Sequence, residues 1–522
     1  MTTLYELLAG QDDHPALLAP GKPPVSYGQL RENVLELASR LNELGFGRGD
    51  RIAIAMINGP ELIATFLGVA TAATAAPLNP KYKQDEFAFY YEDTEAKALI
   101  TLPGALPAAV AAALPRMELL NVSADVRGRC VLERAAGRQR DGRDGRDGQV
   151  RPPRARESSL ADDIAMVLHT SGTTSRPKRV PLRHRNLVAS ANNIRGTYDL
   201  SPTDRTLCVM PLFHIHGIVG SMLSTLASGG TVVCPAGFNA MEFLSLFETF
   251  SPTWYSAVPT MHQMVLARIG RHVESVRRRQ LRFIRSSSAP MPAVVRERLE
   301  EAFLAPVVDS YGMTEASHQM ASNPLPPRER RRGTVGYGFG VDVRIMDDGG
   351  ALLVAGETGE VVVRGPSVVD GYENNPEANL AAFTNGWFRT GDQGVLDADG
   401  YLALTGRIKE LINRGGEKFS PLEIDDVLLR HPAVAEALAF AVPHKMLGED
   451  VHAAVVLKGE VESSALRAHC AAALAEYKVP KRFHVLTELP RGATGKLQRI
   501  NMAKLLQVRD VNEARDAGAG DE

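Results

Sequence analysis

Apolar positions along the chain recur with two periods. Arg51-Ile-Ala-Ile-Ala-Met56 and Ala96-Lys-Ala-Leu-Ile-Thr101 are short apolar runs of strand length, whereas residues 27–45 and 60–73 carry apolar side chains at helical spacing. Strand and helix patterns follow one another, which predicts an α/β fold with mainly parallel sheets covered by helices. Residues 62–78 form the most apolar stretch. They fall short of the roughly 20 residues a membrane span needs, and Pro77 interrupts them, so they read as a buried helix running into a strand. Beyond residue 355 the pattern changes to short Val-rich strands and Gly turns, as in Gly359-Glu-Val-Val-Val-Arg364 and Gly400-Tyr-Leu-Ala-Leu-Thr405. A further unit with a β-α-β pattern starts near Arg407 and ends near Leu506. Residues 507–522 are charged and read as a frayed tail.

Composition narrows the class. A chain of 522 residues, 44% hydrophobic and 23% charged, has the size and balance of a soluble protein with two or more domains. A net charge of −2 gives no global field for nucleic acid. Four scattered cysteines form no C-x-x-C pair, which speaks against a zinc site or disulfide framework and for a reducing cytoplasm. The first residues lack a basic n-region, and the last four, Ala-Gly-Asp-Glu, are no peroxisomal address, so neither a signal peptide nor a peroxisomal signal is expected. Residues 137–157 repeat Arg-Asp-Gly with almost no apolar side chain and read as a mobile insertion. Their arginines allow an RNA-binding reading, but the interleaved aspartates offset much of that charge.

The richest segment for chemistry is His169-Thr170-Ser171-Gly172-Thr173-Thr174-Ser175-Arg176-Pro177-Lys178. It sets five hydroxyls around one glycine and closes with two cations, which suits a loop that grips phosphate. The Walker pattern is absent. Three more clusters follow. Asp309-Ser-Tyr-Gly-Met-Thr-Glu315 comes after the strand-like Pro306-Val-Val308, and a carboxylate past a Gly-containing turn at a strand's C-terminal end is well placed for ligand or metal. In Gly386-Trp-Phe-Arg-Thr-Gly-Asp392 an Asp beside a Gly can bond vicinal ribose hydroxyls. The last runs from Gly406-Arg-Ile-Lys-Glu410 to Asn413-Arg-Gly-Gly-Glu-Lys418. Each cluster singly is compatible with an ordinary surface turn.

In this order, together with Pro490-Arg-Gly-Ala-Thr-Gly-Lys496, these segments resemble the adenylate-forming superfamily of acyl-CoA synthetases, luciferases and peptide-synthetase adenylation domains. The resemblance spans Leu4 to about Leu506. It implies a large N-terminal domain, residues 1–408, and a small mobile α+β lid, residues 409–506, hinged at Lys409. In such enzymes a carboxylate attacks the α-phosphate of ATP to give an acyl-adenylate and pyrophosphate, and a thiol then takes the acyl group. Bringing two anions together calls for Mg²⁺, with ATP and CoA as co-substrates.

By this resemblance Glu315 is the metal ligand, with the Thr170 hydroxyl beside it. Thr170, Ser171, Gly172, Thr173, Thr174, Ser175 and Lys178 hold the β- and γ-phosphates. Tyr311, Gly312 and Thr314, with Ser287, Ser288 and Ala289, frame the adenine, and Asp392 and Arg407 hold the ribose. Lys496 bridges the attacking carboxylate and the α-phosphate. Arg414, Gly415 and Gly416 line the passage for CoA, where glycines admit a narrow pantetheine chain. Asn-Arg-Gly-Gly-Glu-Lys-Phe-Ser-Pro is similar to CoA ligases, and no carrier-protein domain follows in this chain.

The acid pocket is expected to be polar. His214 and His216 in Pro211-Leu-Phe-His-Ile-His-Gly217, Ser287 and Ser288 before Ala289, and His318 suit a small acid with a second carboxylate, although core histidines satisfied by backbone are equally compatible. The phosphate loop, Thr253-Trp-Tyr-Ser-Ala-Val-Pro-Thr260 and Leu281-Arg-Phe-Ile-Arg-Ser286 resemble the oxalate–CoA ligase subgroup, as do Ser175 and Arg179 where the usual loop has glycine. The resulting expectation is a cytoplasmic ATP- and Mg²⁺-dependent oxalate–CoA ligase. Ligases for malonate or an aromatic acid remain open, malonate predicting a pocket arginine in place of some histidines. So does a catalytically silent nucleotide sensor.

Overall fold

The structure, a computed structural model, describes residues 2–113, 117–135, 153–154, 157–170, 177–491 and 497–507. Its contacts divide the chain into two units. The first holds Met1–Met291, Val295–Val343 and Val363–Phe388, and the second Pro292–Val294, Arg344–Val362 and Arg389–Glu522. The boundary expected at 408/409 falls inside the second unit. Among the described residues no helix is long and apolar enough to cross a membrane.

The first unit contains two large sheets. One has seven strands in the order Cys130–Arg134, Glu118–Ala124, Ala98–Thr101, Arg51–Ala55, Thr74–Leu78, Ile164–Thr170, Lys178–Arg183. Its inner pairs are parallel and its two outer pairs antiparallel. The apolar stretch at 62–78 behaves as its sequence predicts. Helix Pro60–Ala72 is buried at every position but Thr71 and leads into the fully buried strand Thr74–Leu78. Helix Tyr27–Glu43 packs beside it through Leu30, Val34, Leu37 and Leu41. Its start is set by Ser26, whose hydroxyl accepts the Gln29 N–H while the Gln29 side chain accepts the Ser26 N–H.

The other sheet has nine strands and carries most of the candidate chemistry. Its order is Tyr337–Gly338, His318–Ser322, Val307–Met313, Phe283–Ser286, Trp254–Ala257, Arg205–Leu207, Thr231–Val233, Pro15–Leu18, Val25–Ser26. The central pairs are again parallel. An apolar cluster that includes Phe243, Phe247, Tyr255, Ile284, Leu299 and Phe303 packs against it.

One local expectation needs correcting. The Gly-containing segment after residue 308 is not a turn. Strand Val307–Met313 continues through Tyr311-Gly312-Met313 because it pairs antiparallel with His318–Ser322, with a bulge between Tyr311 and Gly312. A Cβ at Gly312 would overlap the carbonyl oxygen of His318, so glycine lets the two strands close. The turn comes later, as a single 3₁₀ turn at Thr314–Ala316.

The second unit has a five-stranded sheet with the path Glu417–Phe419, Ile412–Arg414, Gly448–Leu457, Val434–His444. Arg482–Val485 pairs parallel to Gly448–Leu457. Helices Pro421–Leu429 and Ser463–Ala471 bury Ile424, Leu428, Leu466 and Cys470 in its core. This is the α+β arrangement the sequence implies. In the same unit Leu402–Arg407 pairs antiparallel with Asp392–Leu396.

Candidate functional site

Hairpin Val307–Ser322 places two groups of polar side chains at one end of the nine-stranded sheet. Glu315 lies in its turn and His318 opens its return strand, paired with Met313. The Glu315 carboxylate is 5% exposed. Among the described residues its one hydrogen-bond donor is the Tyr372 hydroxyl, at 2.8 Å, and it has no ion pair there. Burial and the neighbouring carboxylate push the Tyr372 phenol well above its usual pKa, so it stays a donor. The Lys178 ammonium lies 4.5 Å from the centre of the Tyr372 ring. Lys178 is paired across the sheet with Thr170. Glu315, Tyr372 and Lys178 therefore form one chain of contacts, and Thr170 faces its last member.

Behind Thr170, His169 shares a 2.9 Å hydrogen bond with Asp93 and is edge-on to Tyr90. Burial holds its imidazole pKa below the usual value, against the pull of Asp93. Arg179 bonds the Asp93 carbonyl and lies 3.6 Å from Glu373, while Arg51 reaches Glu373 at 2.8 Å. These pairs anchor the strand that leaves the phosphate-loop segment. Ser171, Gly172, Thr173, Thr174 and Ser175 lie outside the described residues, as do Lys496 and nearly all of the 137–157 insertion.

The second group is a buried polar network. His216 Nδ1 is 3.0 Å from Ser288 Oγ, and its Nε2 is 2.6 Å from Ser256 Oγ. The His216 and His318 rings lie 4.9 Å apart. Arg285, fully buried on strand Phe283–Ser286, donates to Ser256 Oγ, His318 Nε2, Gln319 Oε1 and Tyr198 Oη, each at 3.0–3.1 Å. Two non-glycine members hold positive φ, Ser288 at 72° and His318 at 105°, a strained arrangement that gathers at binding sites. The helix bearing His216 continues as a π-helical segment, Ile218–Leu223. A Cβ at Gly220 in that segment would overlap the His318 imidazole, so glycine there makes room for the ring.

The sequence-derived residues divide accordingly. His216, Ser288 and His318 come together. The His214 ring lies tilted against Phe213 with centroids 4.4 Å apart, and the His214 carbonyl accepts the Ile218 N–H. Ser287 donates to the Ser310 carbonyl, which ties two strands. Ala289 is exposed, and Tyr311 and Gly312 lie in the strand below Thr314.

In the second unit Arg407 Nε is 3.0 Å from Asp392 Oδ1, so the two residues expected at a ribose face each other. Lys409 lies in a single 3₁₀ turn directly after that strand. Arg414 is ion-paired to Asp450 at 2.7 Å, and Gly415 and Gly416 form the turn of a hairpin, both at positive φ.

Three members escaped the sequence reading. Arg285 carries a signal, since it is a charged residue within the apolar run Phe283-Ile-Arg-Ser286. Ser256 and Tyr372 carry none, because each is defined by a partner far away in the chain.

Comparison with known proteins adds the following. The chain matches the model of the AMP-binding enzyme family over residues 5–373 and that of the AMP-binding enzyme C-terminal domain over 423–496. It is 45% identical to a probable CoA ligase of Humulus lupulus, covering 96% of this chain and 95% of the relative. It is 44% identical to oxalate–CoA ligase of Arabidopsis thaliana, with 93% and 94% covered. Among solved structures, o-succinylbenzoate CoA synthetase of Bacillus subtilis in complex with ATP and magnesium ion matches with a TM-score of 0.80 and 30% identity, covering 96% of this chain and 98% of the other.

Proposed function

The chain belongs to the AMP-binding, adenylate-forming enzymes, and on that premise we propose that it is an ATP- and Mg²⁺-dependent acid–CoA ligase whose acid is oxalate. The observation that carries the choice of acid is the buried network of His216, Ser256, Ser288, Arg285 and His318. It offers imidazole, hydroxyl and guanidinium groups, which suit a small polar acid. The relatives named oxalate–CoA ligase support the same choice.

Oxalate is a poor acyl donor because its carbonyl carbons carry anionic oxygens. Attack of one carboxylate on the α-phosphate expels pyrophosphate and gives a mixed anhydride, and the CoA thiolate then attacks its carbonyl carbon and displaces AMP. Magnesium supplies charge neutralisation on the phosphates during the first step. Glu315, with Thr170 beside the loop, is the candidate ligand set. A nearly buried carboxylate that has a phenol but, among the described residues, no cation for a partner suits a divalent ion. Lys178 and the loop from Thr170 to Ser175 receive the β- and γ-phosphates. Tyr311, Gly312, Thr314, Ser288 and Ala289 meet the adenine. In the second unit Asp392 and Arg407 serve the ribose, Lys409 the hinge, and Arg414 to Gly416 the CoA. Lys496 meets the α-phosphate. Lys496→Ala should then nearly abolish adenylation and spare thioester formation from supplied oxalyl-adenylate. Equal loss of both half-reactions sinks that assignment.

Malonate is the second reading, because Arg285 is the pocket arginine a malonate ligase calls for. The deciding experiment is AMP release with ATP, Mg²⁺ and CoA over oxalate, malonate, acetate, octanoate and coumarate. Preference for oxalate upholds the reading. Activity confined to another acid keeps the two-step chemistry and discards the substrate.

A further inference from the structure

We propose that Arg285 is the specificity-determining residue of the acid pocket, its buried charge selecting short acids that bear a second anionic group. The proposal rests on the ligase reading above. Three arginines are buried among the described residues: Arg179, Arg285 and Arg296. Arg296 faces Asp309 at 2.6 Å, and Arg179 lies within 4 Å of Asp93, Glu95 and Glu373. Arg285 has no carboxylate within that distance among the described residues, although it is the most deeply buried of the three.

Its four acceptors are a phenol, a hydroxyl, an imidazole and an amide, all of which can be neutral. Such partners satisfy N–H groups but leave the positive charge uncompensated. A guanidinium stays protonated even when buried, so the cost of burying its charge falls on the free protein. An anion that enters the pocket relieves that cost.

The surrounding geometry passes this charge toward the ligand. Arginine can only donate, so His318 Nε2 is the acceptor and its proton resides on Nδ1. Ser256 takes a second Arg285 N–H and lies 2.6 Å from His216 Nε2. The charge is thus bonded to one imidazole directly and linked to the other through Ser256. Of the guanidinium's five N–H groups, four have acceptors among the described residues, leaving one on Nη2.

In the proposed reaction one carboxylate of the acid is consumed in the anhydride and the other stays anionic throughout. Its counter-charge therefore acts equally on ground and transition states, and losing it raises KM more than it lowers kcat. Oxamate, the monoamide of oxalate, has nearly the same shape and one charge fewer, which makes it the matching probe.

The experiment measures the KM for oxalate in ATP–pyrophosphate exchange and the inhibition constant of oxamate, for the wild type, Arg285→Gln and Arg285→Lys. In the wild type oxalate should be favoured over oxamate by about 100-fold. Arg285→Gln should raise the oxalate KM by a similar factor, with kcat and the KM for ATP nearly unchanged and oxamate inhibition little altered. Arg285→Lys, which restores the charge, should recover part of the preference.

An unchanged oxalate-to-oxamate ratio in Arg285→Gln overturns the proposal, and so does a wild type that binds both equally. That second result decides the matter even where the glutamine variant fails to fold. A wild type active only on monocarboxylates overturns the choice of oxalate as well and keeps the two-step chemistry, whereas oxalate turnover with an unchanged ratio overturns the Arg285 assignment alone.

Discussion

Glu315 and Arg285 are opposites. The first is a nearly buried anion with no cation beside it, and the second a buried cation with no anion beside it, among the described residues. Elsewhere the molecule pairs such groups, as Arg296 with Asp309 or Arg499 with Asp425. Folding alone favours pairing, because an isolated buried charge is costly. Leaving opposite charges unmatched on the hairpin and on the strand beside it makes sense where ligands would bring the complements, a divalent cation at one point and an acid's spare carboxylate at the other. The two regions also differ in density. Among the described residues the partners around Glu315 are few, whereas Arg285 holds a phenol, a hydroxyl, an imidazole and an amide together. A sparse region can receive a hydrated ion, while a dense one sorts small molecules by charge and shape.

The comparison predicts two kinds of defect. The largest is expected for Glu315→Gln, which should cut ATP–pyrophosphate exchange by about 1,000-fold, in equal measure for every acid accepted. An acid-dependent loss would erase the division between the two regions. His318→Ala should lower exchange with oxalate about ten-fold more than exchange with a monocarboxylate, since it removes one of Arg285's acceptors. Unchanged preference removes His318 from the pocket. Tyr372→Phe deletes one hydrogen bond to Glu315 and should cost about 5- to 10-fold, uniformly across acids and partly recoverable with more magnesium.

The smallest effect concerns stability. His262, buried in the first turn of the helix Pro259–Ile269, has its pKa pushed down to about 3 by burial. Below pH 6.5 the unfolded chain binds a proton there that the folded chain refuses. Stability present at neutral pH is thus lost as pH falls from 6.5 toward 3, by on the order of 2 kcal/mol at pH 5. The drop in melting temperature from pH 7 to pH 5 should shrink in His262→Asn. An unchanged drop would show that this imidazole does not control acid sensitivity.

Legibility in the sequence followed the range of the interactions. The helix at 60–72 and the strand at 74–78 could be read because their burial is written in consecutive apolar residues. Glu315 could be read because its motif is contiguous. Strand Val307–Met313 ran further than its glycine suggested, because a return strand supplied the hydrogen bonds. Tyr372, Ser256 and Arg285 stayed hidden as site residues, since their partners lie 57, 40 and 33 positions away. The pairing of Asp392 with Arg407, and of Arg414 with Asp450, likewise depends on strand register that spacing does not reveal.

The bulged hairpin has one more consequence. Glu315 and His318 stand on the same short turn, closed by the Met313–His318 pair and by the tight fit over Gly312. On the proposed reading that turn is a gauge with a fixed span, one jaw for the phosphate side and one for the far end of the acid. A longer acid does not simply need a wider cavity. It needs the gauge itself to be recut, and the backbone that would have to move is the part of the hairpin where one added methyl group cannot fit.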